Sequence, residues 1–219
     1  MDIEVIRSYI PLYNDALLLT FKIGLLGVLT AFIIGLSGAA ALYFKVPVVK
    51  KILTVYIELF RNTPLLVQLF FIYFALPKLG IRISAQLCGT LGLGLIGGAY
   101  MIETLRSGLE SIDRIQTESA LSLGMTKSQV FGSIILPQGI SRSVPGIMAN
   151  VIFLLKETSV FSTISLMDLM FTAKDLIGMY AKTIECLFLL VVYYLIMLLP
   201  VSLLGSVVER RVRYAEFGN

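Results

Sequence analysis

Lys156, Glu157, Thr158 and Ser159 are four consecutive polar residues that interrupt the apolar stretch beginning at Val144. Polar backbone inside such a stretch is tolerated where it is buried in protein or lines a water-filled cavity. The residue types suit a zwitterion. Glu157 can meet an ammonium, while Lys156, the Thr158 and Ser159 hydroxyls or freed backbone N–H groups can meet a carboxylate. A charge pair at the outer membrane interface fits the same residues, and the sequence leaves both readings open. Asn150 and Tyr100 are further candidates for the same cavity. Two other pairs, Glu58 with Arg61 and Glu103 with Arg106, place opposite charges three residues apart on one helix face. Just beyond the first pair, Pro64 lacks the N–H that would bond the Phe60 carbonyl. Glu58–Arg61 therefore reads as a structural ion pair that fixes a kink. Glu103–Arg106 reads as a structural pair at the inner end of its helix, positioning the loop that follows. Lys22, alone in its apolar run, reads as a snorkelling side chain.

Catalytic groupings are missing. The sequence has no His, so the commonest general base and metal ligand is absent. Cys88 and Cys186 stand apart in apolar segments, which excludes a CxxC metal site or a disulfide framework. Neither a Ser–His pair nor a carboxylate dyad is available, which argues against an intramembrane protease or acyltransferase. No catalytic residue and no metal ligand is expected.

The elements that must hold these side chains are membrane helices. Of 219 residues, 57 % are hydrophobic and 15 % charged, with a mean hydropathy of +0.89. Soluble domains carry roughly 45–50 % and 25 %. A crossing needs about 20 apolar residues, and five stretches qualify or nearly do: 16–44, 52–76, the glycine-rich 84–105, a short 144–155 opened by Pro145, and 184–207. The first run is too long, and too poor in preceding basic residues, for a cleavable signal peptide. Without Trp, Tyr and Phe supply any aromatic belt. A single domain over 1–219 is expected, with its core at about 16–207.

Five crossings put the termini on opposite sides. Lys45, Lys50, Lys51, Arg106, Arg114, Lys127, Arg142, Arg210, Arg211 and Arg213 fall on one side, ten basic residues against five (Arg7, Lys78, Arg82, Lys174, Lys182) on the other. The positive-inside rule then places the N-terminus outside and the C-terminus in the cytoplasm. A sixth crossing within 157–183 would reverse the tail, and Lys174, Asp175 and Lys182 argue against it. The net charge of +4 comes with no dense basic run, so nucleic acid is not an expected partner.

The inner loop 107–141 is long enough to carry a function. Helical character at 116–123 ends at Gly124, which can take the positive φ that closes a helix. Thr126 can cap a second short helix over 127–135, with Pro137 ending it. Apolar residues on these helices either pack back on the bundle or seek a groove in a partner.

A resemblance favours the partner. Glu118, Ser119 and Ala120, then Gly124, Ile134, Leu136 and Pro137, reproduce the spacing of the EAA loop of ABC importer permeases: EAA, three residues, G, nine residues, IxLP. Ser119 replaces the middle Ala. ELFRNTPLLVQLFFIYFAL (58–76), AYMIETLRSGLESI (99–112) and LLKETSVFSTISLMDL (154–169) resemble segments of amino-acid permeases of the histidine/glutamine/arginine type. The likeness spans about 20–203. It departs at Ile115, where the family usually has Gly, and at Glu157, where a KDTS-like motif has Asp.

The resemblance implies an all-α, polytopic membrane protein with the type I ABC importer transmembrane-domain fold: five transmembrane helices plus short cytoplasmic coupling helices. It implies that Glu118, Ser119, Ala120, Leu121, Gly124, Ile134, Leu136 and Pro137 engage an ATPase, and that Glu157 lines the translocation cavity. The implied partners are two ABC ATPase subunits, a second permease subunit (identical or homologous), an extracytoplasmic amino-acid-binding protein, a polar amino acid and the lipid of a bacterial cytoplasmic (inner) membrane. ATP and Mg would be bound by the ATPase, since this chain has no GxxxxGK[ST] phosphate loop and so no cofactor of its own. A permease for another small solute would share the EAA spacing but not the amino-acid-type segments. A standalone channel would leave that spacing unexplained.

Overall fold

The structure, a computed structural model, describes residues 2–44 and 46–217, with side chains as far as Val212. Lys45 and the Arg213 side chain, both counted in the basic bias, lie outside the described residues.

Helix α1 runs Ile3–Tyr43, 41 residues. It begins well before the apolar run because the Asp2 carboxylate accepts from the N–H groups of Glu4 and Val5. At about 60 Å it is longer than a bilayer core. Its early turns are tied to α9 (Thr183–Phe217): the buried Tyr13 hydroxyl donates to the Cys186 carbonyl at 2.7 Å, and Tyr193 donates to Asn14 at 2.6 Å.

The second expected crossing is not one straight helix. Helix α2 (Pro47–Arg61) and α3 (Leu65–Phe70, extended by a π turn and a 3₁₀ turn to Leu79) are bent by 104°. The cause is local. Pro64 breaks the backbone ladder, and the Gln68 amide replaces it, donating to the carbonyls of Phe60 (3.0 Å) and Thr63 (3.1 Å).

Helix α4 (Ala85–Glu110) packs closely along α1 because glycines face the contact. A Cβ at Gly97 would stand 2.6 Å from Leu154 of α7 (Leu136–Glu157) and 2.7 Å from Ala31 of α1, so three helices meet at one bare backbone.

Helix α5 (Arg114–Ser122) starts at the Asp113 cap and closes at Gly124, φ +84°. There the N–H groups of Gly124 and Met125 reach back to the carbonyls of Leu121 and Ala120. Helix α6 (Lys127–Val130) opens on a Thr126–Gln129 capping box.

Pro137 does not end this segment. A π turn, Phe131–Ile135, carries the chain straight into α7 (Leu136–Glu157), and Pro137 sits in the first turn of α7. The fourth stretch is thus longer than expected, and Pro145 lies inside it rather than at its start. A 3₁₀ turn, Thr158–Ile164, and helix α8 (Leu169–Tyr180) lead to α9.

Among the described residues, four helical runs are long and apolar enough to cross a membrane, and five if the bent α2–α3 pair is one span. Helix α8 is too short for a sixth. The core falls into three clusters along the bundle. Tyr13, Leu169 and Cys186 mark one end, Leu69, Leu93 and Leu154 the middle, and Leu105, Ala120 and Ile135 the other end.

Candidate functional site

A polar seam runs between α4 and α7. The helical repeat brings Tyr100, Glu103, Thr104 and Ser107 of α4, with Ser111 just after it, opposite Arg142, Ser143, Asn150 and Phe153 of α7, and puts Glu157 on the same face of α7 as Asn150. Gly146 allows the approach, since a Cβ there would lie 2.6 Å from the Thr104 methyl. The Asn150 amide donates to the Thr104 hydroxyl at 2.9 Å. Ser143 donates to the Gly139 carbonyl (2.7 Å) and the Thr104 carbonyl (3.2 Å), and Arg142 to the Ser111 carbonyl (2.6 Å). A pocket of about 450 Å³ opens at this end, among Glu103, Ser107, Ser111 and Arg142. Further along, the Tyr100 and Phe153 rings meet edge to face at 5.3 Å.

The ion pairs differ from those the spacing suggests. Arg61 does not pair with Glu58. It crosses from α2 to Glu103 of α4 at 3.3 Å and stacks 5.3 Å over the Tyr100 ring. Glu58 accepts instead from the Asn62 amide at 2.9 Å. The Glu103–Arg106 pair is present at 3.2 Å, and Arg106 also reaches Glu110 at 3.2 Å. Glu103 is therefore shared by two guanidinium groups. Asn62 follows the α2 break, and its capping role could have been read from its place before Thr63-Pro64.

The run Lys156–Ser159 is not gathered round one point. Lys156 is exposed, and Glu157 and Ser159 are half-buried. Thr158 is fully buried, donates to the Leu155 carbonyl at 2.7 Å and faces Tyr194 of α9 at 3.5 Å. Among the described residues Lys156 and Glu157 form no ion pair, with each other or with any other residue. Glu157 shares the α7 face of Asn150, two turns further on, while Thr158 is turned toward the core.

Asp168 was not singled out from the sequence, although an Asp immediately before an apolar run is a helix-start signal. It is fully buried, and its carboxylate caps α8 by accepting from the N–H groups of Met170 (3.3 Å) and Phe171 (3.0 Å). Burial pushes its pKa from 3.8 up to about 7, against the lowering effect of those bonds. Between these values the unfolded chain is ionised while the folded one holds the proton. Stability should therefore fall as pH rises from about 4 to about 7, by at most about 1.4 kcal/mol per unit, and level off above. Thermal unfolding at pH 5 and pH 8 checks this, and Asp168→Asn should flatten the difference.

At the far end of the bundle, α5 divides its residues between two faces. Ala120 is buried against the inner cluster, whereas Glu118, Ser119, Leu121 and Gly124 are exposed. Leu123 is 83 % exposed and Ile115 61 %, although α5 is no candidate span. Ile134 and Leu136 are half-buried beside the π turn, and Pro137 is exposed. A groove of about 670 Å³ separates α5 from the end of α1, between Tyr43, Phe44, Glu118, Leu121 and Lys127.

Comparison with known proteins places this arrangement. Residues 23–214 match the family described as "Binding-protein-dependent transport system inner membrane component". The chain is 35 % identical over 213 residues to the probable amino-acid permease protein YxeN of Bacillus subtilis, covering 96 % of this chain and 95 % of that one. It is 35 % identical over 175 residues to the probable glutamine ABC transporter permease protein GlnP of B. subtilis, covering 80 % of each. A crystal structure of an amino acid ABC transporter with histidines contains a chain that superposes with a TM-score of 0.88 at 33 % identity, over 96 % of this chain and 99 % of that one. The MetNI methionine ABC transporter, at 17 % identity and a TM-score of 0.80 over 94 % and 98 %, shares the fold. With the family matched along nearly its whole length, the chain belongs to the binding-protein-dependent transport system inner membrane components.

Proposed function

We propose that the α4–α7 seam forms half of a pathway for polar amino acids, and that the chain acts as the permease subunit of an ATP-driven importer working by alternating access. The observation that carries this reading is the seam itself. A file of polar side chains along two apolar helices cannot face lipid without cost, so it faces protein or water. A second permease subunit, identical or homologous, covers it. Two ATPase subunits dock, one on the α5 of each permease subunit, where exposed Leu121 and the following Leu123 have no lipid to enter, and they bind the ATP and Mg. An external binding protein delivers the amino acid. The α5–α6 end is cytoplasmic, in keeping with the ten-to-five basic bias, and the N-terminus is outside. The relatives named as amino-acid and glutamine permeases support the substrate class.

Glu157 is the seam's candidate for the substrate ammonium. Glu157→Gln keeps shape and hydrogen bonding but removes the charge. A charge-assisted bond is worth about 1.5–3 kcal/mol against about 1 for a neutral one, so apparent affinity should fall roughly tenfold. Uptake kinetics in proteoliposomes at saturating binding protein measure this. Unchanged uptake, or loss of the ATPase subunits on purification, would return Glu157 to a structural role.

A further inference from the structure

The cytoplasmic end of α1 is gripped by aromatic rings. Phe131, the first residue of the π turn, stands 4.8 Å from the Tyr43 ring and 4.9 Å from the Phe44 ring, and those two rings meet at 5.5 Å. The π turn is what aims Phe131 there. The N–H of Leu136 reaches back five residues to the Phe131 carbonyl. One extra residue in the turn rotates everything before it by about 100° relative to α7. In an unbroken α-helix Phe131 would be turned by about 100° from this contact.

Both sides of this contact are stiff. On one side, α5 is tied to the base of α7 by the Gln138–Gln116 bond at 2.7 Å, and the Thr126–Gln129 capping box holds the start of α6 in shape. On the other, α1 packs tightly on α4, with Gly38 so close that a Cβ would meet Ile102 at 2.5 Å. We propose that Phe131, held by Tyr43 and Phe44, is a positioning residue that transmits displacement of α5–α6 to α1, and through α1 to α4 and its side of the seam. This rests on the reading that α5 docks the ATPase. The rings touch neither substrate nor nucleotide. They decide whether α1 follows the cytoplasmic segment or stays behind.

The test uses the whole importer, with ATPase subunits and binding protein, in proteoliposomes carrying glutamine as the probe. In Phe131→Ala the complex should purify intact and hydrolyse ATP at its basal rate, while glutamine moved per ATP falls about tenfold. Phe131→Tyr, which keeps the ring, should restore the ratio. Phe44→Ala, at a residue 44 % exposed and so tolerant of change, should lower the ratio in the same direction. A wild-type ratio in both alanine variants would overturn the proposal, as would loss of the complex in both, which would make the rings structural. Leu121→Arg tests the docking reading separately, and retention of the ATPase by that variant would remove the reading whatever the ring variants show.

Discussion

Gly124→Val is expected to abolish most ATP-driven uptake without a clash in the folded chain. A Cβ at this position meets nothing within 4 Å, so the substitution acts through the backbone alone. Gly124 holds φ at +84°, where the chain turns from α5 into the Thr126 cap. An L-residue there costs about 1–2 kcal/mol, and a β-branched one more. The chain can avoid that cost only by unwinding the end of α5, which moves Glu118 and Leu121 out of register. A penalty of about 2 kcal/mol corresponds to roughly thirtyfold in the fraction of correctly presented α5. Gly124→Ala should show the same defect in weaker form. Co-purification of the ATPase together with uptake rates reads both effects. Equal, wild-type behaviour of the two variants would show that α5 does not depend on this turn.

How far such a site can be read from sequence depends on the range of the interaction. The α5–Gly124–α6 segment was legible because its signals are local: a glycine at a closure, a Thr–Gln capping box three residues apart, a helix ending where the backbone needs a left-handed residue. The glycine-rich α4 was legible for the same reason, to within five residues at its inner end. Pro137 misled because proline reads equally as a stop and as a first-turn residue. What settles the matter is the π turn before it, which has no sequence signature. The sharp bend at α2–α3 was foreshadowed by Pro64, but its 104° depends on Gln68 satisfying two carbonyls from beyond the break. The polar seam was half visible. Tyr100, Asn150 and Glu157 stood out as polar groups in apolar runs. Thr104, Ser107, Ser111 and Ser143 carry no signal of their own, Arg142 counts only toward the basic bias, and the α4–α7 contact is what makes them one file. Thr158 shows the converse, since it stands among polar residues in sequence yet is fully buried beside Tyr194.

Glu103→Gln is expected to be the most damaging single charge removal among the ion pairs. The i,i+3 spacing suggests two separate pairs, whereas the structure has Arg61 and Arg106 converging on one carboxylate. Neutralising Glu103 leaves the two guanidinium groups facing each other, with Tyr100 and Glu110 as their remaining partners. Charge-assisted bonds are worth about 1.5–3 kcal/mol each when desolvated. With Glu103 30 % and both arginines 40 % exposed, solvent screens part of this. A net loss of about 1 kcal/mol remains, or roughly fivefold in the population that keeps α2 docked on α4. Uptake and the thermal midpoint should fall together, because that contact holds the Tyr100 wall of the seam. Arg61→Gln combined with Glu103→Gln should be less damaging than the two single losses added, since each alone strands a charge. Glu58→Gln should be nearly silent, as Glu58 bonds Asn62 at an exposed helix end. Strict additivity of the Arg61 and Glu103 variants, or a Glu58→Gln defect as large as that of Glu103→Gln, would mean that the charges pair within α2 after all. The α2–α4 contact would then owe its strength to packing around Tyr56, whose hydroxyl donates to the Leu95 carbonyl, and not to its ions.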